Sequence, residues 1–305
     1  MVQPSFFLVG APKCGTTAFC TYLDQHPDIF ISKPKELNYF DTDFETKRRV
    51  SGLSEYLSKF FEGGGRICGE GSTSYLYSRA AAENIYRFNP GAKIIIMLRD
   101  PVVVMQSFHS QLLFNGSSEN VQDFATAIAL EPERKLGRNI PARCAVPDML
   151  LYREVVSFSK QVQRYFDLFG SKQVKVILFE DFRDRTAAVY REALEFVGAN
   201  PAFEASFGRI NSNKKARSSF IQSLVKYPPT SVLEFGKYLL PVPRNWRRYA
   251  LEKAKQGLKS LNTQKTTRQP VDDALKKRLV AELKPDIQQL EGLISRDLHA
   301  WYREA

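Results

Sequence analysis

The amino-acid sequence predicts an α/β fold of three layers, α/β/α, in which helices cover both faces of a central parallel sheet. Short apolar runs alternate with helical patterns from residue 4 to residue 197, and such alternation is typical of right-handed crossovers between parallel strands. The predicted strands are PSFFLVGA (4–11), RICGEGS (66–72), AKIIIMLRDP (92–101) and VKVILFEDF (174–182). The predicted helices span about 16–25, 53–62, 78–88, 101–113, 122–130, 148–169 and 185–197.

Each predicted strand is recognised by an apolar run that stops abruptly. FFLV ends at Gly10, and IIIML ends at Arg99, where the pattern turns polar. The helix at 101–113 has a clear start, because Asp100 is a capping residue and Pro101 fits the first helical turn. Both junctions place polar residues directly after a buried strand.

The C-terminal third is predicted to be a basic, helical region that ends in a closing helix. Helix-breaking PP (228–229) and PVP (241–243) divide an appendage over about 219–265, and an amphipathic pattern covers about 270–296 and closes near Trp301. The chain is 43% apolar and has no internal repeat. We therefore expect one domain over residues 1–305, with the appendage and the closing helix within it.

The positive charge is concentrated in one segment. The formal net charge is +11, and residues 205–268 contain fourteen Lys or Arg against Glu234 and Glu252, a local balance of +12. Such a surface attracts polyanions, acidic lipid headgroups or phosphorylated ligands. A structural cap, a glycan-binding surface and a peripheral contact with an anionic membrane all fit, and no nucleic-acid motif is present.

Cysteine usage and the N-terminus indicate a reducing compartment. The three histidines do not complete a zinc site with the cysteines. No C-x-x-C pair occurs among the four cysteines, which are Cys14, Cys20, Cys68 and Cys144. We expect reduced, mostly buried thiols, with the pKa of Cys14 lowered at a helix N-terminus. The start, MVQPSFFLVGAPK, lacks a basic leader and no apolar run spans a membrane, so a cytosolic location is expected, with the inner face of a membrane as a further option.

Residues 8–19, LVGAPKCGTTAF, combine a strand, a loop and a helix start. Gly10 and Gly15 have the spacing of the phosphate-binding pattern G-x-x-x-x-G-K-[ST], and a helix N-terminus after a glycine-rich loop attracts anions. The fold is therefore of the P-loop type. The lysine of that pattern follows the second glycine, whereas here Thr16 follows Gly15 and the lysine is Lys13, inside the loop. An ammonium there is suited to neutralising a leaving group whose charge grows on a phosphate oxygen.

Two further stretches carry candidate site residues. ISKPKELNYFDTDF places Glu36 in a turn between lysines, where either a catalytic carboxylate or a surface ion pair fits. LRDPVVVMQSFHSQ places Arg99 at the binding edge of the sheet and Ser107 about two turns into the next helix. A guanidinium with a hydroxyl is a good receiver for a second phosphate; an ion pair of Arg99 with Asp100 or another carboxylate is the alternative.

Together these stretches resemble the sulfotransferases that use 3′-phosphoadenosine 5′-phosphosulfate (PAPS), in the branch of the heparan sulfate sulfotransferase domains and many bacterial relatives. GAPKCGTT is similar to the family's 5′-phosphosulfate loop, and KPKELNYFD looks like its K-x-K-E-x-x-[FY]-F segment. RDPVVVMQSFHSQ resembles its 3′-phosphate motif, and PDIQQLEGLISRDLHAW its closing helix. GEGSTSYLY (69–77) falls where many members have E-K-[ST]-P-x-Y, but Gly71 stands in place of the lysine and Thr73 in place of the proline.

The resemblance implies roles for residues across the chain. Glu36 would be the catalytic base, with His109 the next candidate, and Lys13 would stabilise the departing 5′-phosphate. The product would be adenosine 3′,5′-bisphosphate (PAP), no metal would be required, and the acceptor would be a hydroxyl or amine of a glycan, lipid or small molecule. The residues that would hold the nucleotide are Ala11, Pro12, Lys13, Cys14, Gly15, Thr16, Thr17, Arg99 and Ser107, with Lys214, Lys215 and Arg217 of NSNKKARSS (211–219) as a closing loop.

Two other functions are kept as alternatives. A nucleoside or sugar kinase would use the same kind of loop, with LRD (98–100) in the place of a magnesium-holding aspartate; the absence of a lysine after Gly15 argues against it. A non-catalytic polyanion-binding protein is supported mainly by the basic segment. The sequence leaves the acceptor and the oligomeric state open.

Overall fold

The structure is a computed structural model that describes residues 2–44, 50–116, 118–208 and 271–303, together with the backbone of 214–216 and 263–265. The described chain divides into two compact units. One comprises residues 1–108, 151–211 and 271–305, and the other comprises residues 109–150 and 212–270. The expectation of a single domain over 1–305 stays a prediction.

The first unit contains a five-stranded sheet whose strands are all parallel, in the order β2-β3-β1-β4-β5. The strands are β1 (Phe6–Gly10), β2 (Ile29–Ile31), β3 (Ile67–Gly71), β4 (Lys93–Leu98) and β5 (Val174–Leu178). Every residue of β1 is buried, as expected for a central strand covered on both faces. The predicted α/β class with a parallel sheet is confirmed.

The helices of the first described ranges are α1 (Thr16–Leu23), α2 (Leu53–Ser58), α3 (Ala81–Phe88), α4 (Pro101–Asn115), α5 (Phe124–Ala129) and α6 (Glu131–Lys135). Those of the later ranges are α7 (Tyr152–Val155), α8 (Phe158–Phe169), α9 (Phe179–Asp184), α10 (Thr186–Val197), α11 (Asp273–Ile294) and α12 (His299–Tyr302). None of these described helices is both long enough and apolar enough to cross a membrane.

The closing helix, α11, packs on α8 of the first unit. Its buried residues repeat every three or four positions: Leu275, Leu279, Leu283, Ile287 and Leu290. The Ser159 hydroxyl donates to the Asp286 carboxylate, which also accepts from the Ser159 backbone N–H at 3.3 Å. The predicted C-terminal helix thus completes the core of the sheet-bearing unit.

In the second unit the described parts include a fully buried ion pair. Arg134 donates to Glu119 at 2.8 Å, and both side chains have 0% exposure. Separately, two three-residue strands, β6 (Lys214–Ala216) and β7 (Thr263–Lys265), pair antiparallel.

Two predicted elements were assigned wrongly, and two observed elements, β2 and α6, were not predicted. The short edge strand β2 was not predicted, because three apolar residues are too few to give a pattern. The helix predicted at 148–169 is a 3-10 turn (Pro147–Leu150) followed by α7 and α8. The predicted strand VKVILFEDF ends at Leu178, and its last four residues belong to α9. Helix α6 follows the helix predicted at 122–130 and was not predicted. Each error lies where tertiary packing decides between helix, strand and turn.

Candidate active site

The candidate site lies at the edge of the sheet where the parallel strands end. β1 lies between β3 and β4, so the loop after Gly10 emerges between the segments that follow Gly71 and Leu98. Ligands of open parallel sheets bind at this edge. Lys13, Glu36, Thr73 and Arg99 all follow strands at it.

The loop from Gly10 to Thr17 depends on its two glycines. A Cβ at Gly10 would lie 2.6 Å from Leu76 Cβ, too close for any side chain. Gly15 caps α1 with a φ of 86°, a left-handed conformation that glycine adopts without strain. The first helical bond runs from the Phe19 N–H to the Gly15 carbonyl, so the N–H groups of the first helical turn are available to an anion.

Lys13 and Glu36 share an uncommon backbone conformation, with a φ of 67° at each residue. Such a conformation costs a non-glycine residue about 1–3 kcal/mol and is concentrated at functional sites. Among the described residues the other non-glycine positions with positive φ are two asparagines and a serine at the end of α11: Asn38, Asn139 and Ser295. The two residues predicted to be catalytic therefore both carry this backbone strain.

The Glu36 carboxylate is bound by groups from two segments. Its Oε1 pairs with the Lys35 ammonium. Its Oε2 accepts from the Thr73 backbone N–H at 3.1 Å and from the Thr73 hydroxyl at 3.1 Å. The side chain is 32% exposed. Glu36 is thus both ion-paired and open to a reactant, so the two readings of the sequence do not exclude one another.

A single residue separates Glu36 from the glycine loop. Thr73 binds the carboxylate through its N–H and hydroxyl, and its carbonyl oxygen lies 3.1 Å from the position of a Cβ at Gly10. The backbone N–H of Glu36 also donates to the carbonyl of Gly71, at the end of β3, at 3.0 Å. These contacts bring the predicted base beside the predicted phosphate loop.

The segment after Glu36 is held by a buried carboxyl group that the sequence analysis missed. Glu70, on β3, accepts from Tyr56 at 2.6 Å, from Ser72 at 2.6 Å and from Tyr75 at 2.7 Å. The Tyr75 oxygen accepts from the backbone N–H of Tyr39 at 2.9 Å. The acidic residue inside the apolar run ICGEG was the available signal, because a carboxylate in a buried strand requires partners.

Burial raises the pKa of Glu70 to about 7, although its three hydroxyl donors oppose the shift. Between pH 4.5 and 7 the folded protein therefore holds a proton that the unfolded chain has released, so this group makes stability fall as pH rises through that window. The loss is about 3 kcal/mol.

Glu70→Gln is expected to remove that part of the pH dependence. Urea unfolding at pH 4.5 and pH 7.5 would show the free energy of unfolding of the wild type falling, relative to the variant, by about 3 kcal/mol. Glu55→Gln, which removes an exposed carboxylate paired with Lys59, is the control and should leave the slope unchanged. Parallel profiles for wild type and Glu70→Gln would contradict the assignment.

Arg99 follows β4 and is supported by α9. Its guanidinium lies 4.2 Å from the centre of the Phe179 ring, and a Cβ at Gly15 would lie 3.2 Å from both Phe179 and Phe182. The helical segment FEDF, read from the sequence as strand, therefore supports the arginine and the loop together. Asp100 caps α4 as predicted, accepting from the N–H of Val102 at 2.8 Å.

The other residues predicted to bind the nucleotide differ in burial. Ala11 and Thr16 are buried, Pro12 is half-buried, Thr17 is exposed, and Ser107 is buried on α4. Cys14 is buried, with its Sγ 3.5 Å from the carbonyl of Pro12. The expectation of a lowered Cys14 pKa was wrong: burial raises the pKa of this thiol, although Arg99 opposes the shift. Desolvation outweighs the favourable electrostatics of a helix N-terminus here.

The other candidates lie in the second unit. His109 is 3% exposed, and its Nε2 lies 2.9 Å from the Val121 carbonyl, so this nitrogen carries the hydrogen. A buried, hydrogen-bonded ring is a poor base for a reactant. Side chains of Lys214 and Lys215, and all of Arg217, lie outside the described residues. Within the described ranges no group of three or more potential ligands could hold a metal ion.

Comparison with known proteins gives one family. A family model described as the sulfotransferase domain matches residues 3–218. The bifunctional heparan sulfate N-deacetylase/N-sulfotransferase 3 of Mus musculus is 24% identical over 209 residues, which are 67% of this chain and 23% of that protein. Heparan sulfate glucosamine 3-O-sulfotransferase 5 of Homo sapiens is 24% identical over 176 residues, which are 57% of this chain and 47% of that protein.

A solved structure extends the similarity over the whole chain. The sulfotransferase from Alicyclobacillus acidocaldarius is 28% identical, with a TM-score of 0.73, and the alignment covers 99% of this chain and 100% of that one. By contrast, the chain covers less than half the length of the two heparan sulfate enzymes.

Proposed function

The chain belongs to the sulfotransferase family, and on this basis we propose that it transfers a sulfuryl group from PAPS to a hydroxyl or amine of an acceptor. The observation that carries the proposal is the position of Glu36 beside the loop, through Thr73. A base and an anion-binding loop at one sheet edge are what in-line transfer from a phosphosulfate requires. Neither a kinase nor a passive polyanion-binding protein is favoured by the family match.

In the proposed reaction Glu36 takes the proton of the acceptor as its oxygen or nitrogen attacks sulfur. The bond from sulfur to the bridging oxygen breaks, and its electron pair stays on the 5′-phosphate of PAP. Lys13 and the N–H groups of the first turn of α1 stabilise this charge. A positioned base contributes about 10²–10⁴ in rate, and a preorganised cation about 10²–10³, by analogy with oxyanion donors.

Donor binding is assigned to the loop and to the segment after β4. Residues 11–17 would hold the 5′-phosphosulfate, and Arg99 with Ser107 the 3′-phosphate. The residues present fit such a ligand: Arg99 directly follows β4, and its guanidinium lies 4.2 Å from the centre of the Phe179 ring. Arginine binds phosphate through two parallel hydrogen bonds. A metal is not needed in this scheme, since Lys13 supplies the positive charge.

The acceptor is the part of the function that the relatives leave open for this chain. Two of them are named for heparan sulfate. The basic segment is suited to glycans and to anionic membranes, so glycan and lipid acceptors are both candidates. Incubation with ³⁵S-labelled PAPS in EDTA, across de-N-sulfated heparan sulfate, glycolipid vesicles and simple phenols, would show which takes label. Absence of label in all of them, together with binding of ATP-Mg²⁺ in preference to PAP, would overturn the proposal. The cytosolic location stays a prediction.

The closing-loop assignment has its own test. Joint replacement of Lys214, Lys215 and Arg217 by alanine should raise the Kd for PAP about 10–100-fold, because charge-assisted hydrogen bonds to phosphate are lost. Replacing the exposed Lys160, Lys172 and Arg191 by alanine removes the same charge elsewhere and is the control. Calorimetry that shows equal affinities for the two triple variants would reject the closing loop.

A further inference from the structure

The two positions at which the sequence departs from the family pattern both contact one ion pair. Gly71 and Thr73, which stand in place of the lysine and the proline of the E-K-[ST]-P-x-Y pattern given above, flank Ser72 at the end of β3. In the structure Gly71 adjoins the Lys35 side chain, and Thr73 binds the carboxylate of Glu36. Lys35 and Glu36 are themselves paired.

Gly71 provides the space in which the Lys35 side chain lies. A Cβ at position 71 would be 3.2 Å from Lys35 Cε and 2.8 Å from Cys20 Sγ. Any larger side chain there would displace the lysine stem or press on α1. A side chain at position 71 would therefore change the position from which Lys35 pairs with Glu36.

Thr73 provides two donors that proline cannot offer. Its N–H lies 3.1 Å from Glu36 Oε2, and its hydroxyl lies 3.1 Å from Oε2 and 3.3 Å from Oε1. Proline has no N–H and no hydroxyl. The two oxygens of a carboxylate can accept about four hydrogen bonds, and Lys35 and Thr73 do not use all of them. The Glu36 carboxylate can therefore still take the proton of the hydroxyl or amine that receives the sulfuryl group.

We propose that Thr73 is a positioning residue for Glu36, and that Gly71 and Thr73 form one arrangement that orients the base. This inference rests on the proposed function. Thr73 is suited to the role because its carbonyl is packed against Gly10 while its donors bind Glu36, so one residue sets the base relative to the loop. Small errors in such an alignment cost much of the rate.

Three substitutions at position 73 remove one, both or neither of the donors to Glu36, and kcat is measured for each. Thr73→Val removes the hydroxyl and keeps the N–H, and we expect kcat to fall about tenfold, the value of roughly one charge-assisted hydrogen bond. Thr73→Pro removes both donors and should lower kcat about a hundredfold. Thr73→Ser restores the hydroxyl and should stay within about twofold of the wild type. The Kd for PAP should change little in all three.

A double-mutant cycle separates positioning from a general structural effect. Sulfuryl transfer is measured from ³⁵S-labelled PAPS to whichever of the three acceptor classes takes label. If Thr73 acts through Glu36, Thr73→Val should have no further effect on kcat in the Glu36→Gln background. Thr126→Val is the matched control, since Thr126 binds the Asp123 carboxylate through its N–H and hydroxyl, both at 2.7 Å, at the start of α5; it should leave kcat unchanged.

The outcomes distinguish this inference from the proposed function. A wild type that labels none of the acceptors and binds ATP-Mg²⁺ in preference to PAP overturns both. An active wild type whose Thr73→Val and Thr73→Pro variants keep kcat within twofold overturns the inference alone. Equal losses in the wild-type and Glu36→Gln backgrounds also overturn it, because the threonine would then act independently of the base.

Discussion

Glu36→Gln is expected to lower kcat by about 10²–10⁴-fold while the Kd for PAP stays within a few-fold of the wild type. Glutamine fills the same volume and can still accept from the Thr73 N–H, but it cannot take a proton from the acceptor. The Glu36 carboxylate is hydrogen-bonded to Lys35 and Thr73 rather than to the glycine loop, so donor binding should survive. Single-turnover kinetics with labelled PAPS and calorimetry with PAP measure the two quantities separately.

The comparison needs a glutamate that differs only in its location. Glu55 is also solvent-accessible and also pairs with a lysine, Lys59, at 3.7 Å, so Glu55→Gln should keep full activity. If Glu36→Gln retains most of the wild-type rate, the base lies elsewhere. The buried ring of His109 is then a weak substitute, because its Nε2 already donates to a carbonyl.

The parts of the fold and site that sequence predicts are those fixed by local chemistry. The apolar run IIIML forms β4, Asp100 caps the next helix, and the spacing of Gly10 and Gly15 forms the loop. Each depends on residues within a few positions of one another, so a pattern suffices.

The parts that sequence does not predict depend on contacts between distant residues. Thr73 and Glu36 are 37 positions apart, and the buried Glu70 reaches Tyr56 across 14. The segment FEDF reads as a continuation of β5, yet it turns into α9 because Phe179 and Phe182 pack against Gly15. The direction of the Cys14 pKa was mispredicted for the same reason, since burial is not visible in the loop sequence.

The backbone at Lys13 offers a sharper test of its role than loss of activity alone. Its φ of 67° is strained for lysine and for methionine but relaxed for glycine. Lys13→Met and Lys13→Gly both remove the ammonium, and both should lower kcat by about 10²–10³-fold if that charge stabilises the departing phosphate oxygen. The glycine variant should nevertheless be the more stable of the two by about 1 kcal/mol, because it relieves the strain.

A lower rate together with a higher stability in Lys13→Gly would show that the strained backbone at Lys13 serves to place the ammonium. A residue that keeps a strained backbone only to place its side chain should lose function when the strain is relieved, while the fold gains. Thermal unfolding measures the change in stability of the two variants, and single-turnover kinetics measure the loss of rate. Lys13→Arg, which retains the charge, is the control. Rates within threefold of the wild type in the methionine and glycine variants would show that the leaving group is stabilised without Lys13. The loop amides at the start of α1 would then remain as the source of that stabilisation.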